Sequence, residues 1–283
     1  MGANKMGNSP VVIWGKRLLN LNLWLTMLFL YLPILILVAF SFNDSKLGAK
    51  WSGFTLDWYR SLMTSESILS STWNTVVVAI ISTLIATILG TMAAIAVERF
   101  KFRLQGLFDG LLYMPVIAPE IITGISLLAF FSFTFSAINE LFNLSGDMAI
   151  RNGLVTVTVA HIGFNIAFVA VVVRTSLKNF DGSLEEAAQD LGANEWVTFR
   201  RITLPIITPG IVAGALLAFT LSLDNFVITF FVTGPGATTL PIEVFGRVRR
   251  AISPEINAIS TIMLLVSVLF VVASQMIQRR RTG

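Results

Sequence analysis

Residues 183–205 read SLEEAAQDLGANEWVTFRRITLP, a polar stretch that lies between two long apolar runs. Ser183 and Glu186 have the S-x-x-E spacing of a capping box, which predicts that a helix begins here. Apolar residues recur at the i, i+3, i+4 and i+7 spacing of one helix face; they are Leu184, Ala187, Ala188 and Leu191. The opposite face is expected to be polar, with Glu185, Gln189 and Asp190.

The second half of this stretch predicts a turn followed by another short helix. Gly192 stands where a C-terminal glycine would end the first helix. Asn194 can cap a second helix that contains Trp196, and Pro205 is expected to mark its end. The stretch is therefore predicted to be two short helices that connect two membrane spans.

The composition indicates a chain that is surrounded by lipid. Of its 283 residues, 55% are hydrophobic and 13% are charged, and its mean hydropathy is +0.78. Soluble domains have about 25% charged residues, so this chain could not cover a surface that faces water. The net charge of +4 does not indicate nucleic-acid binding, because the basic residues cluster beside apolar runs, as membrane topology requires.

Residue types that the chain lacks exclude several kinds of chemistry. It has no cysteine, which excludes disulfides and thiolate metal sites, and its single histidine, His161, excludes a multi-histidine metal site. The sequence contains no Walker A motif, so ATP binding through a P-loop is not expected. We therefore expect no catalytic residue, no metal and no cofactor in this chain, and any ATP would be hydrolysed by another chain.

Six apolar runs reach the roughly 20 residues that a helix needs to cross a bilayer. They are 18–42, 75–97, 107–133, 153–177, 206–232 and 257–277. Pro115 and Pro119 are expected to break the third run. Two stripes of small residues predict close helix packing; they are Ala86, Gly90 and Ala94 in the second run, and Gly210, Gly214 and Ala218 in the fifth.

The basic residues predict which side each loop faces. Six spans place both chain ends on one side, and 13 of the 20 Lys and Arg residues then lie on that side, which predicts the cytoplasm. The predicted organisation is a tail at 1–17, a six-helix transmembrane domain at 18–277 that includes the loop 178–205, and a basic tail at 278–283. Three arginines on the outer side have no electrostatic explanation in this arrangement; they are Arg247, Arg249 and Arg250.

The polar loop resembles the EAA loop of ABC-importer permeases. That family has E-A-A three residues before a glycine and I-x-L-P nine residues after it, and both gaps match here, with ITLP at 202–205. In the family this short helix lies in a groove of a separate ATPase subunit. The resemblance implies an all-α, type I ABC-importer permease fold with a cytoplasmic EAA coupling loop. The coupling residues that it implies are Glu186, Ala187, Ala188, Asp190, Leu191 and Gly192. The residues alone also suit an amphipathic helix lying on the membrane surface.

Two acidic residues lie within the apolar runs. Glu120 follows Pro119 in the third run, and Asp224 lies in the fifth. An ionised side chain at the bilayer centre costs about 2.5–3.5 kcal/mol, so such residues are functional candidates by default. Acids combined with aromatic residues suit an organic cation, through ion pairing and cation–π contact.

Structural roles are the alternative for these polar residues. Glu120 could be protonated, or hydrogen-bonded to backbone amides of the kinked helix. Asp224 could pair with a polar neighbour or with an arginine of a partner subunit. His161 is interpreted as an interhelical hydrogen-bond donor rather than as a proton relay.

Three stretches of the C-terminal third are similar to the polyamine permeases of putrescine and spermidine importers. They are LSLDNFVIT at 221–229, GPGATTLP at 234–241 and PEINA at 254–258. The resemblance covers nearly the whole chain, and within the family it points to the second permease of the putrescine system. Asn225 departs from the pattern, because many relatives have a second aspartate there, and this leaves the choice of polyamine open.

The resemblance implies an importer in the bacterial inner membrane, in which this chain is a multi-pass permease with both ends inside. Its partners would be membrane lipid, a related second permease in a heterodimer, an ATPase dimer that uses ATP and Mg²⁺, and a periplasmic polyamine-binding protein. The substrate-pathway candidates are Glu120, Asp224, Asn225, Tyr113, Phe226 and Phe230. The alternatives are an importer for an opine, an amino acid or ferric ion, or a stand-alone secondary transporter, which needs inverted repeats that are not evident here.

Overall fold

The computed structural model describes residues 10–45, 50–178, 180–250 and 254–282, and it describes side chains for all of these except 10–13, 250 and 271–282. The helices are α1 (Pro10–Phe40), α2 (Asp57–Thr64), α3 (Glu66–Arg99), α4 (Gln105–Ile117), α5 (Glu120–Leu141), α6 (Leu154–Lys178), α7 (Ser183–Asp190), α8 (Glu195–Thr198), α9 (Leu204–Asp224), α10 (Val227–Val232), α11 (Leu240–Arg250) and α12 (Pro254–Thr282). A π-helical segment, Phe199–Thr203, joins α8 to α9. The first nine residues of the predicted N-terminal tail and the side chains of the predicted basic tail lie outside the described residues.

Within the described ranges, five helices are long and apolar enough to cross a membrane. They are Trp14–Phe40, Glu66–Arg99, Glu120–Leu141, Leu154–Lys178 and Glu195–Asp224. The predicted run at 153–177 agrees with α6 to within one residue at each end. The described apolar part of α12, Pro254–Phe270, is shorter than a full span, so the sixth span stays a prediction.

The third predicted span is two helices rather than one. α4 ends at Ile117 and α5 begins at Glu120, and Pro115 lies inside α4 without ending it. Ala118 has an extended backbone, with φ −67° and ψ 137°, which is the conformation that a following proline imposes. Pro119 is therefore the residue that breaks the run. Because α5 continues to Leu141, the predicted outer loop at 134–152 is partly helical.

The fifth predicted span is also interrupted, at Asn225. α9 ends at Asp224, and Asn225 has an extended backbone, with φ −69° and ψ 105°. The Asn225 side-chain oxygen accepts hydrogen bonds from the backbone amides of Ile228, at 3.1 Å, and Thr229, at 3.3 Å, and so it caps α10. The two polar residues Asp224 and Asn225 mark the break within the run at 206–232, and Asp224 lies at a helix end instead of inside a helix.

The described residues form two compact units, one from Met1–Met63 and Arg247–Leu264, the other from Thr64–Gly246 and Leu265–Gly283. In the first unit, Arg247 donates a hydrogen bond to Glu255 at 2.9 Å. Ser61 donates to the other carboxylate oxygen of Glu255 at 2.8 Å. This ion pair explains one of the three arginines that the predicted topology left without a partner.

α6 is the central helix of the second unit, because it contributes to both clusters of buried apolar side chains. One cluster joins α6 to α3, α5 and α10; it contains Val78, Phe131, Val157, Ala160, Phe164, Ile228 and Val232. The other joins α6 to α3 and α9; it contains Ala94, Val169, Ala170, Val173, Leu177, Ile207 and Ala218.

Both predicted stripes of small residues are buried where helices pack. Gly90 of α3 lies against Val169 and the carbonyl oxygen of Ile166, both on α6. Gly214 of α9 faces the backbone of Val169 from the other side. Small residues therefore let α3 and α9 approach α6 closely, as the stripe pattern predicts.

Gly90→Ala should destabilise the protein by about 1–3 kcal/mol, the usual cost of overpacking. The added Cβ would lie 2.8 Å from Val169 Cβ and 2.9 Å from the Ile166 carbonyl oxygen. Thermal unfolding of the purified protein in detergent measures the change. Gly163→Ala in α6 is the matched control, because no described atom lies within 4 Å of a Cβ there. Equal unfolding midpoints for the two variants would contradict the α3–α6 packing described above.

Candidate functional site

The first candidate region is the break between α9 and α10, where Asp224 is the last residue of α9. Its side chain is exposed in the isolated chain. The C-terminal end of a helix has partial negative charge, which disfavours a carboxylate at this position. An ionised Asp224 is therefore left unsupported by its own helix, and a cation beside it would stabilise it.

Glu120 lies at the opposite kind of helix end from Asp224, because it is the first residue of α5. The N-terminal end of a helix has partial positive charge and free backbone amides, which favour a carboxylate. One turn later, Gly124 lies directly against the ring of Phe231 in α10. The second turn of α5 thus packs on α10, the helix that follows the break after Asp224.

Four phenylalanines form an aromatic cluster beside this break. The rings of Phe226 and Phe230 are 5.5 Å apart, and Phe231 is 5.6 Å from Phe230. Phe245 of α11 lies 4.6 Å from Phe226 and 6.4 Å from Phe230. The structure therefore brings together the two predicted phenylalanines. It adds Phe245, whose sequence signal is its place on the amphipathic helix α11.

Tyr113 is placed in a different group of residues. The Arg174 guanidinium lies over the Tyr113 ring, 5.7 Å from its centroid. Arg174 also donates hydrogen bonds to Glu98, at 3.2 Å, and to Asp109, at 2.5 Å. One face of the Tyr113 ring is thus covered by a cation of the protein itself.

A buried polar network holds the two sides of the α9–α10 break. His161 Nδ1 lies 2.7 Å from the Ser222 hydroxyl, and Nε2 lies 2.8 Å from the Thr229 hydroxyl. The Thr229 hydroxyl donates its proton to the Asn225 carbonyl at 2.9 Å, so it accepts from Nε2–H and leaves Nδ1 to accept from Ser222. The contacts agree with the interpretation of His161 as an interhelical hydrogen-bond donor.

His161→Leu should lower the stability of the protein by about 1–3 kcal/mol, because two buried hydroxyls each lose one of their hydrogen-bond partners. His161→Gln keeps one donor and one acceptor and should lose less. Thermal unfolding in detergent compares the three proteins. A leucine variant as stable as the wild type would show that the network contributes nothing to the fold.

The second candidate region is the polar loop that contains α7 and α8. The predicted capping box does not form, because Ser183 is already the first residue of α7. Instead, the Asp181 side chain accepts a hydrogen bond from the Ser183 amide at 3.0 Å and so caps the start of the helix. This hydrogen bond holds the pKa of Asp181 below its ordinary value. Gly192 has φ +88°, the left-handed conformation predicted for a C-terminal glycine. The Asn194 side chain accepts from the Val197 amide at 2.9 Å, which confirms it as a cap.

The prediction that Pro205 ends the second helix is wrong. α8 continues through the π segment Phe199–Thr203 into α9, and Pro205 lies in the first turn of α9. Pro205 has no backbone amide to donate to the preceding turn, and that turn is the π segment in place of a regular α turn. The loop and the membrane helix α9 are therefore one continuous helical path.

The orientation of α7 differs from the predicted amphipathic one. Of the predicted apolar face, Ala188 is buried, but Leu191 is 90% exposed and Leu184 is 45% exposed. Glu185, predicted on the outer polar face, points inward instead, because it binds side chains of the second unit. Leu184, Leu191 and the 65% exposed Trp196 are three apolar side chains left exposed on an otherwise polar loop, and we call this set of residues the docking surface.

Glu185 anchors α7 to the rest of the second unit. Arg99 of α3 donates two hydrogen bonds to its carboxylate, one of them at 2.8 Å, and Thr203 of the π segment donates a third. Burial alone would raise the pKa of Glu185, but the hydrogen bonds from Arg99 and Thr203 outweigh it and lower the pKa below its ordinary value. The carboxylate is thus charged at neutral pH.

A protein-family model and individual known proteins both match this chain over most of its length. Residues 86–282 match the family described as "Binding-protein-dependent transport system inner membrane component". The putrescine transport system permease protein PotI of Escherichia coli K12 is 44% identical over 260 residues, which are 92% of this chain and 89% of PotI. The spermidine/putrescine transport system permease protein PotC of the same strain is 39% identical over 246 residues, 87% of this chain and 88% of PotC.

A solved structure shares the fold. In the crystal structure of a bacterial alginate ABC transporter in complex with an alginate pentasaccharide-bound periplasmic protein, one chain matches with a TM-score of 0.73. The match covers 96% of each chain at 19% sequence identity, so it concerns the fold alone.

Proposed function

Because the chain belongs to the family of binding-protein-dependent transport system inner membrane components, we propose that it is the permease subunit of an ATP-driven polyamine importer. The observation that carries this proposal is the similarity to PotI and PotC over most of the chain. Both relatives are named for polyamine transport. A permease provides the route through the membrane, so this subunit performs no catalysis itself.

The chemistry of the α9–α10 break supports a polyamine as substrate. Polyamines are flexible chains of methylene groups that join positively charged amines. The Asp224 carboxylate would pair with one amine, while Phe226 and Phe230 would contact the methylene groups and a second amine through their ring faces. Glu120 and Asn225 would line the same route. Tyr113 contributes in a conformation in which Arg174 has left its ring.

Putrescine and spermidine are both substrates that this route could accept. They differ in length and in the number of amines, and the neutral Asn225 removes one carboxylate that would favour the larger cation. We propose putrescine as the main substrate, with spermidine as the second.

The proposed topology has six spans, with both chain ends and the loop 178–205 in the cytoplasm. The distribution of Lys and Arg supports it, since 13 of 20 lie on that side. α12 would complete the sixth span beyond its described side chains. In this topology α9 runs outward from the cytoplasmic loop and ends at Asp224 within the membrane.

The proposed partners are a related second permease in a heterodimer, two ATPase subunits that use ATP and Mg²⁺, and a periplasmic polyamine-binding protein. The docking surface of Leu184, Leu191 and Trp196 would lie against an ATPase subunit, together with Glu186, Ala187, Asp190 and Gly192. ATP binding would close the ATPase dimer, α7 would follow, and the route would open to the periplasm. Hydrolysis would then reset the route toward the cytoplasm.

Uptake into proteoliposomes tests this function. The assembled complex of both permeases and the ATPase would be reconstituted with ATP inside and the binding protein outside. We expect uptake of radiolabelled putrescine or spermidine that depends on ATP and on the binding protein. Uptake of an amino acid, an opine or ferric ion instead of polyamine would contradict the substrate, and polyamine uptake without the ATPase would contradict the mechanism.

A further inference from the structure

The last turn of α3 ends in two oppositely charged residues, and each makes a separate ion pair. Arg99 binds Glu185 of α7 through two hydrogen bonds in the fork geometry that suits guanidinium and carboxylate. Glu98 accepts a hydrogen bond from Arg174 of α6 at 3.2 Å. Neighbouring residues of one helix therefore connect the polar loop on one side to a central membrane helix on the other.

The contact on the loop side has additional support. The Arg99 guanidinium lies over the ring of Phe180, 5.0 Å from its centroid, just before α7 begins. Thr203 of the π segment donates to the same Glu185 carboxylate. Arg99 thus holds the start of α7, and Glu185 holds both α3 and the segment that leads into α9.

The contact on the membrane side reaches a fourth helix. Arg174 is 10% exposed and binds Asp109 of α4 at 2.5 Å, in addition to Glu98. The side chains of Glu98 and Asp109 are 24% and 35% exposed, so Arg174 joins two partly buried carboxylates, one on α3 and one on α4. Asp109, which the sequence pattern did not assign to any role, is the end of the connection on α4.

We propose that Glu98 and Arg99 form a coupling joint that passes the movement of α7 to α4 and α6 when the ATPase acts. The joint runs from Glu185 to Arg99, along the α3 backbone to Glu98, and through Arg174 to Asp109. These residues are positioning residues, since they lie outside the docking surface and none of them is proposed to contact the substrate. The inference rests on the proposed function, because coupling requires an ATPase partner.

The joint predicts a specific defect, which is hydrolysis without transport. Arg99→Glu places two carboxylates together and should separate α7 from α3 while leaving the docking surface intact. In the reconstituted complex, we expect the number of ATP molecules hydrolysed per putrescine taken up to rise at least about tenfold. Glu185→Arg should have the same effect, and the Arg99→Glu, Glu185→Arg double variant should return the ratio to within about threefold of the wild type.

Arg103→Glu is the matched control. It makes the same charge change four residues later, between α3 and α4, and Arg103 is exposed. Its ratio should stay at the wild-type value. A single Arg99 or Glu185 reversal with an unchanged ratio, or a double variant no better than the singles, would overturn the proposal. Absence of any polyamine uptake by the wild-type complex would instead overturn the proposed function, so the two failures are distinguishable.

Crosslinking provides a second measurement that remains informative if the charge reversals prevent assembly. The chain has no cysteine, so Arg99→Cys and Glu185→Cys together introduce its only thiols. A short bifunctional maleimide is preferable to a disulfide, which needs Cα atoms within about 7 Å. If α7 and the end of α3 move as one body, the crosslinked complex should transport at least as well as the uncrosslinked double-cysteine complex. Loss of transport on crosslinking, restored when a cleavable maleimide is cut, would show that α7 slides against α3 and would overturn the joint.

Discussion

Asp224→Asn should lower polyamine uptake by the assembled importer about tenfold to a hundredfold, measured as kcat/KM. This range corresponds to about 1.4–2.8 kcal/mol of lost interaction with the cation. The carboxylate lies at the C-terminal end of α9, where the helix does not stabilise its charge, so we propose the passing amine as its counter-ion. The amide keeps the size and shape of the side chain. Radiolabelled putrescine uptake into proteoliposomes, with assembly checked by size-exclusion chromatography, measures the effect.

Two further variants serve as comparisons for Asp224→Asn. Asp147→Asn removes an exposed acid in the 3₁₀ turn Gly146–Met148 and should leave uptake unchanged. Glu120→Gln should reduce uptake by no more than about threefold, because the N-terminal end of α5 already stabilises that carboxylate. Normal uptake by an assembled Asp224→Asn complex would remove Asp224 from the pathway.

Leu191→Asp should separate the permease from its ATPase and so abolish ATP-dependent uptake. Leu191 is 90% exposed on a loop predicted to face water, and the described residues include no apolar partner for it. Buried apolar anchors at protein interfaces contribute about 2 kcal/mol or more, so we expect at least about thirtyfold weaker binding of the ATPase. Co-purification of the ATPase with tagged permease measures the loss.

Gln189→Asp is the matched control for this surface, because it adds the same charge two residues earlier, at an exposed polar position of α7. It should retain the ATPase. The Leu191→Asp permease itself should unfold at the wild-type temperature, since the described residues cover only a small part of the Leu191 side chain. Full retention of the ATPase by Leu191→Asp would place the docking surface elsewhere.

Sequence patterns predicted the features of this chain that depend on residues close to one another in the sequence. α6 agrees with its apolar run because no proline or polar cap interrupts it, and Gly192 takes the left-handed conformation that its position suggests. The small residues of α3 also lie where their spacing predicts. The order and type of the helices around the polar loop could thus be read from the sequence.

Features that depend on distant residues could not be predicted in the same way. Helical periodicity assigned Glu185 to the polar outer face of α7. In the structure its carboxylate points inward because it pairs with Arg99, which is 86 residues earlier in the chain and which local periodicity cannot take into account. The break at Asn225 is set by a side-chain cap, and the run at 206–232 is apolar enough on average to be interpreted as one span despite the polar pair Asp224 and Asn225. Tyr113 likewise lies against Arg174, 61 positions later in the chain, instead of beside Phe226.

The π segment between α8 and α9 has a mechanical consequence. A π turn contains one residue more than an α turn, so the helix from α8 to α9 contains one residue more than a regular α-helix with the same number of turns. Conversion of Phe199–Thr203 to regular α-helix would advance the preceding loop by about 1.5 Å and rotate it by about 100° relative to α9. The helical path from the polar loop to Asp224 can therefore change its length and its twist by one residue, which a regular α-helix could not do.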